Sequence, residues 1–295
     1  MDPQPSSKLE APVSDAQRQL WNNSFYLPRL PENIDVARKI LEDYSEIPAS
    51  DVDNHILKIR DQGWAIFPFP CIGQFRFLEI ERTLSDARFQ SALERLQRKG
   101  STDRFLDVGC FVGQIARALA FSGVHTEKLY GTDLEQAYLD LGFDLFRDEH
   151  KMRREHFIAG DMVQEPRDPR LDAFVGKITL INASSFFHLF DFPQQMKAAK
   201  RCVEFLDPDA QDAMIFGRMT GRADPGGMVQ GPGGSKLFVH SAESWAQLWR
   251  EVGESTGTVW RTEYELIDDA EFETVTQKFT EAGVKRSRFG AYRVK

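Results

Sequence analysis

The chain has 295 residues, 41% hydrophobic and 28% charged, a composition that excludes a disordered or fibrous protein. At ~150 residues per domain, the length allows two domains, or one large α/β domain with an extension. Thirty-seven basic residues against 45 acidic ones give a net charge of −8, which disfavours nucleic acid or an anionic membrane surface as a general partner.

Residues 1–16, rich in Pro, Ser and charge, read as a flexible tail. Residues 17–100 read as mostly helical. From Pro31, the residues Ile34, Ala37, Leu41 and Tyr44 recur at helical spacing. Ser50 with Asp53 has the form of a capping box for a helix carrying Val52, Ile56 and Ile59. Trp64–Pro70 is an aromatic stretch broken by prolines, which predicts a lid or wall loop and not a central strand. A further helix carries Phe89, Leu93 and Leu96 on one face.

From Arg104 the rhythm changes. Strands are predicted at Arg104–Val108, Lys128–Thr132, His156–Ala159, Lys177–Asn182 and Asp212–Arg218. Helices are predicted at Gln114–Ser122, Gln136–Asp148, Pro193–Phe205 and Ala242–Val252. The Gly- and Pro-dense stretch Gly221–Lys236 reads as a long loop. A last helix, Asp268–Ala282, lies between two more strands, Val259–Ile267 and Ser287–Val294. Strand–helix alternation of this kind predicts a parallel sheet with helices on both faces. The division is a tail (1–16), a helical cover (17–100) and an α/β domain (101–295).

No apolar run approaches the ~18 residues of a membrane span. Met1–Pro5 lacks a signal-peptide pattern, so a cytoplasmic protein without a membrane span is expected. Cys71, Cys110 and Cys202 are too few and too far apart for a disulfide scaffold or zinc ribbon. His55, His125, His150 and His156 have no metal-ligand spacing, so no metal site is implied.

The sharpest motif is Phe105-Leu106-Asp107-Val108-Gly109-Cys110-Phe111-Val112-Gly113-Gln114. A strand ends in an acid, and glycines then turn the chain into a helix. Gly109 and Gly113 allow close backbone approach to a ligand, and the helix start offers N–H groups. Asp133 ends the next strand, 20 residues after Gly113, where a carboxylate can accept both hydroxyls of a ribose. The spacing is not G-x-G-x-x-G, because positions 111 and 114 are Phe and Gln. It is not a P-loop either. Asp161, in Gly160-Asp161-Met162, follows the third strand, and Asn182-Ala183 ends the fourth. The bland alternative makes these residues helix caps and turn formers.

The acid-first loop resembles the Asp-x-Gly-x-Gly-x-Gly loop of class I S-adenosylmethionine-dependent methyltransferases. The resemblance implies a Rossmann-like α/β fold: a seven-stranded, mostly parallel sheet with an antiparallel edge and an N-terminal helical lid. It implies S-adenosylmethionine as cofactor, bound by Asp107, Gly109, Cys110, Gly113, Asp133, Leu134, Asp161, Met162, Asn182 and Ala183. Phe111 stands where the family has its middle glycine. Its side chain must point away from the cofactor, or the loop must bend differently. The aromatic N-terminal segment, the Phe105–Gln114 loop and Lys236-Leu237-Phe238-Val239-His240…Trp245…Leu248-Trp249-Arg250-Glu251-Val252 resemble fungal meroterpenoid-pathway methyltransferases. That resemblance implies methylation of a carboxyl on a small hydrophobic acid, a prenylated aromatic one, and a homodimer.

A carboxyl acceptor needs no general base, since it is ionised at neutral pH, whereas a phenol usually wants one. His188 is the candidate base or positioning residue. Its alternative is a helix residue packed by Phe186, Phe187 and Phe190. Arg218, or Arg222, is the candidate partner of an acceptor carboxylate; the alternative for either is a solvated arginine. His240 reads as structural. Trp21, Phe25, Tyr26, Trp64, Phe67 and Phe69 form either an apolar pocket or the core of the N-terminal helices. Two rivals stay open: a cyclase or isomerase that binds the cofactor without methyl transfer, and a non-catalytic scaffold in which Phe111 blocks the loop. A nucleic-acid substrate is disfavoured by charge and by the absence of an Asn/Asp-Pro-Pro-aromatic motif.

Overall fold

A computed structural model describes residues 15–210, 212–223, 225–230, 236–269, 272 and 283–294. The N-terminal part is a helical layer. It comprises α1 (Asp15–Phe25), α2 (Asp35–Lys39, continued as a π-helix through Ile40–Tyr44), α3 (Ala49–Ile66), α4 (Pro70–Gly73), α5 (Ile80–Leu84) and α6 (Ala87–Gln97). Helix and strand then alternate: β1 (Phe105–Val108), α7 (Gln114–Phe121), β2 (Leu129–Asp133), α8 (Gln136–Phe146), β3 (Phe157–Ala159), β4 (Leu180–Asn182), α9 (Phe192–Phe205) and β5 (Met214–Arg222). The chain ends with β6 (Gly227–Gln230), β7 (Lys236–Val239), α10 (Ala242–Thr256), β8 (Trp260–Ile267) and β9 (Val284–Arg293).

Seven strands form one sheet in the order β3-β2-β1-β4-β5-β9-β8. The first five run parallel to one another, while β9 runs antiparallel to both β5 and β8. This is the expected mostly parallel sheet with an antiparallel edge. The order reverses between β1 and β4, and an open α/β sheet binds its ligand in the crevice at that switch point.

One apolar cluster, under α9 and α10, contains Phe187, Phe205, Trp245, Trp249 and Phe289. A second, under α6, α7 and α8, contains Phe89, Phe105, Leu119, Phe143 and Phe157. A third knits the helical layer to α7 and α8 through Ile56, Ile59, Phe75, Phe77, Ala118, Tyr138 and Phe146. The alternation of large apolar residues along each helix therefore buries one face of each against the sheet or the layer.

Several expectations change. No side chain caps α3; Pro48 precedes it, and Ser50 Oγ instead donates to Asp51. Asp53 pairs with Arg38, so the capping box does not form. Trp64–Ile66 belongs to α3, and the prolines break only the chain beyond it. The stretch Gly221–Lys236 is not all loop: β5 runs on to Arg222, and β6 pairs with β7 as a separate hairpin. Arg218 and Arg222 therefore sit within β5 and not after it. β9 starts at Val284, earlier than expected. Most of the predicted tail and of the helix at Asp268–Ala282 lies outside the described residues.

Candidate active site

The carboxyl ends of β1, β2 and β4 bring the motif residues together. Asp107 and Asn182 are register partners on adjacent parallel strands. Asn182 Nδ2 donates to Asp107 Oδ1 at 2.6 Å, and Asn182 Oδ1 accepts from Ser184 Oγ at 2.8 Å. Both ends of the Asn182 amide are thus engaged in holding Asp107. Asp107 is 3% exposed, and its Oδ2 is buried with no hydrogen-bond partner. Burial, aided by the nearby charge of Asp133, pushes its carboxyl up to about 7. An orphaned buried carboxylate oxygen fits a cationic ligand group.

The glycine loop is tied down through the N–H groups of Gly109, Cys110 and Phe111. The Gly109 and Cys110 N–H groups both donate to the Thr132 carbonyl, at 2.8 and 3.0 Å. The Phe111 N–H donates to Asp133 Oδ2 at 2.8 Å, and the Glu135 N–H to Oδ1 at 3.3 Å. Burial nonetheless pushes Asp133 up to about 6. Gly113 has φ +63°, and a Cβ there would lie 2.4 Å from Arg117 Nη1, so a larger residue would be excluded twice over. The Cys110 thiol is buried in the core with its pKa raised by burial, so only its backbone faces the loop.

Phe111 adopts φ +52°, the left-handed conformation a glycine would take without cost. Its ring turns into the helical layer, against Phe77 (5.5 Å between centroids) and Tyr138 (4.8 Å). The loop is therefore not blocked, and Gly109 remains solvent-exposed. This removes the feature on which the scaffold alternative depended.

Asp161 Oδ1 accepts from the Val163 N–H, and its own N–H donates to Asp168. Met162 and Ala183 are buried in the sheet core, so each offers backbone only. Leu134 is partly exposed beside Asp133.

His188 lies in a 3-10 turn after β4, not in an α-helix. The turn touches the glycine loop: a Cβ on Gly109 would come 3.0 Å from the Phe186 ring. His188 Nδ1 is buried without a partner. Burial and the charge of Arg76 hold the imidazole down to about 4, so it is neutral at pH 7. Arg218 adjoins the same turn. Its N–H donates to Ser184 Oγ (3.3 Å), and its carbonyl accepts from the Ser185 N–H (2.6 Å). Arg218 Nη2 donates to Thr83 Oγ1 at 2.8 Å, while Nε is shielded and unpartnered. No carboxylate among the described residues lies within ion-pair distance of it, and burial lowers its pKa to about 10.

Other predicted residues are structural. His240 is buried between Gln195 (2.6 Å) and Ser244 (3.0 Å). Trp21, Phe25 and Trp64 are buried in the core of the helical layer, with Tyr26, Phe67 and Phe69 packed against it. Among the described residues no group of three or more His, Cys, Asp or Glu could hold a metal ion. None of their helices is long and apolar enough to cross a membrane. Two surface concavities, about 560 Å³ between α10 and β8 and about 630 Å³ between α3 and α8, contain none of these residues. Sequence reasoning assigned no place to Arg76 or Arg117, and placed Tyr44 on a helical face without its bond to Asp148. Arg76 alone left a local signal, a charge set between two phenylalanines.

The sheet order, the acid-first glycine loop and the acids closing β1 and β2 define a class I S-adenosylmethionine-dependent methyltransferase. Residues 25–78 match a family described as the meroterpenoid methyltransferase N-terminal domain. The chain is 39% identical to O-methyltransferase phiE of a fungal species (strain ATCC 74256), over 82% of this chain and 78% of that one. It is 36% identical to the asnovolin E/chermesin D methyltransferase nvfJ of Aspergillus novofumigatus, over 84% and 86%. It is 35% identical to methyltransferase adrK of Penicillium roqueforti, over 90% and 92%. The chain belongs to this family of fungal meroterpenoid methyltransferases, enzymes of secondary metabolism that use S-adenosylmethionine.

Proposed function

We propose that the enzyme methylates a carboxyl oxygen of a small hydrophobic acid, a prenylated aromatic one. The observation that carries this reading is Arg218, a partly buried guanidinium beside the loop after β4 with no carboxylate within ion-pair distance among the described residues. A guanidinium in that state is matched by a ligand carboxylate, which it can hold in a fixed geometry. The bound cofactor supplies an electrophilic methyl on a sulfonium. The chain's residues do the rest. Asp107, aligned by Asn182, would hold the cofactor's ammonium, and Asp133 its ribose hydroxyls. Arg218 orients the acceptor oxygen for in-line attack, where positioning is the main demand.

No proton has to leave a carboxylate, which is ionised well below pH 7. A phenol near pKa ~10 would need a base, and a histidine held near 4 is a weak one. His188 therefore serves the acceptor through a hydrogen bond at Nδ1, not through proton removal. The naming of a fungal relative as an O-methyltransferase supports an O-methyl product. The test incubates the enzyme with labelled donor and a matched acid and phenol of one prenylated skeleton. Methyl ester from the acid supports the reading, and methyl ether from the phenol alone contradicts it. Acid consumed with no label incorporated would favour the cyclase alternative.

We further propose that the enzyme works as a homodimer in the cytoplasm. Light scattering would then give twice the 33.7 kDa chain mass, and a tagged fusion would fractionate with cytosol.

A further inference from the structure

Six arginines crowd the seam where the helical layer meets β5 and β9. Four of them are matched to carboxylates. Arg82 pairs with Asp269 (2.9 Å), Arg88 with Glu263 (3.4 Å), Arg286 with Asp269 (2.7 Å) and Arg288 with Asp86 and Glu265 (both 3.2 Å). Arg218 and Arg76 are not. Arg76 Nε donates only to the neutral Gln74 Oε1 at 2.9 Å, and its guanidinium lies 5.5 Å from the Phe272 ring centre. No carboxylate among the described residues comes within ion-pair distance of it. Arg286 covers the same ring at 4.8 Å, so Arg76 has a like charge for a neighbour.

The backbone carries Arg76 to the cleft. It begins a 3-10 turn whose next residue, Phe77, touches Phe111 of the cofactor loop. Cys71 feels the charges of both Arg76 and Asp133, and His188 feels that of Arg76. Arg76 thus stands at the seam beside Arg286, one residue from the ring that packs on the glycine loop, and its charge acts on His188, whose Nδ1 is buried without a partner.

We propose that Arg76 is a specificity-determining residue, a second guanidinium that pairs the acceptor's carboxylate from the helical layer while Arg218 meets it from the sheet. The inference rests on the carboxyl reading above. Two cations left unmatched in a partly desolvated seam, in a chain of net charge −8, are offset when an anion binds between them. The acceptor class is a carboxylate-bearing apolar molecule, and an uncharged ester of the same skeleton is rejected.

The test uses the full-length enzyme and a farnesylated hydroxybenzoic acid as probe. Arg76→Gln should raise KM for the acid at least tenfold, with kcat within threefold. Arg76→Lys should recover part of the loss. Affinity for S-adenosylhomocysteine, measured by calorimetry, should stay within twofold in both, which also establishes that the variants are folded. An unchanged KM for the acid in Arg76→Gln overturns the inference and leaves the carboxyl reading standing. Equal losses of acid and S-adenosylhomocysteine binding overturn it too, by assigning Arg76 a general structural role. Wild-type enzyme that methylates the matching phenol and not the acid overturns the carboxyl reading, and this inference with it.

Discussion

The ring of Phe111 rests on the backbone of Gly63, so that a Cβ added to Gly63 would stand 3.1 Å from it. This contact joins the cofactor loop to α3 and explains how the loop tolerates a phenylalanine at a glycine position. The left-handed backbone costs roughly 1 kcal/mol, and the ring's burial in the helical layer offsets it. Phe111→Gly should relieve the strain and lose the ring. We expect a net destabilisation of ~1–3 kcal/mol with cofactor affinity nearly kept, read from thermal melts with and without S-adenosylhomocysteine. Gly63→Val should do the reverse. It pushes the ring back towards the loop, so affinity should fall more than stability.

Cofactor affinity should depend on pH through Asp107 and Asp133. Their folded carboxyls sit at about 7 and 6, above the ordinary value of 3.8. A cationic ligand binds the ionised forms, so affinity falls as pH drops from 8 to 5.5, and binding at pH 6.5 releases protons. Calorimetry in two buffers of different ionisation enthalpy reads the release directly. An affinity that is flat across that range would contradict the assignment.

The same shifts bear on stability. A raised folded pKa means that stability from the neutral carboxyl is fully present below about 3.8 and is lost as pH rises through 7. Asp107→Asn keeps a neutral group at all pH values and can still accept from Asn182. The cofactor-free variant should melt a few degrees higher at pH 8 and bind S-adenosylhomocysteine at least tenfold more weakly.

Arg117 and Asp148 form a fully buried two-bond ion pair (2.9 and 3.1 Å), to which the Tyr44 hydroxyl adds a third bond at 2.9 Å. Arg117 Nη1 also reaches the Val112 carbonyl of the cofactor loop. Arg117→Leu leaves a buried carboxylate unmatched and should cost ~3–5 kcal/mol in denaturant unfolding. The double variant Arg117→Leu/Asp148→Leu should cost clearly less. Tyr44→Phe should cost only about 1 kcal/mol.

His188 offers a further check on the chemistry. With its imidazole held at about 4, the rate should show no inflection from it between pH 6 and 9. His188→Asn retains a polar partner and should lower kcat by less than tenfold. A hundredfold loss, together with an inflection near 6.5 in wild type, would mean that His188 is a base.

The sheet, and the placing of Asp107, Asp133 and Asn182 at its carboxyl edge, were legible because their signals are local. Asp107 and Gly109 stand two residues apart, Asp133 closes a short apolar strand, and Asp161 follows another. What escaped depends on contacts distant in sequence. Arg117 and Asp148 are 31 residues apart and look like ordinary surface charges in the sequence. The bond from the Asn182 amide to Asp107 spans 75 residues of sequence. Ser50 and Asp53 match a capping pattern, but Pro48 sets the start of α3 and Arg38 takes Asp53. The orientation of Phe111 could be posed from the sequence and not decided, since the answer lies in Gly63, 48 residues away. Arg76 stands between Phe75 and Phe77 in the sequence, but that no carboxylate among the described residues pairs with it is seen only in the structure.

The central claim is that the methyl group reaches a carboxylate oxygen held by arginine. Turnover of the farnesylated acid with ¹³C-methyl donor, read by carbon NMR, tests it most directly. The expected result is a single labelled methyl in the ester region, and loss of that signal in Arg218→Gln with S-adenosylhomocysteine binding intact. A labelled methyl in the aryl-ether or ring-carbon region would contradict it.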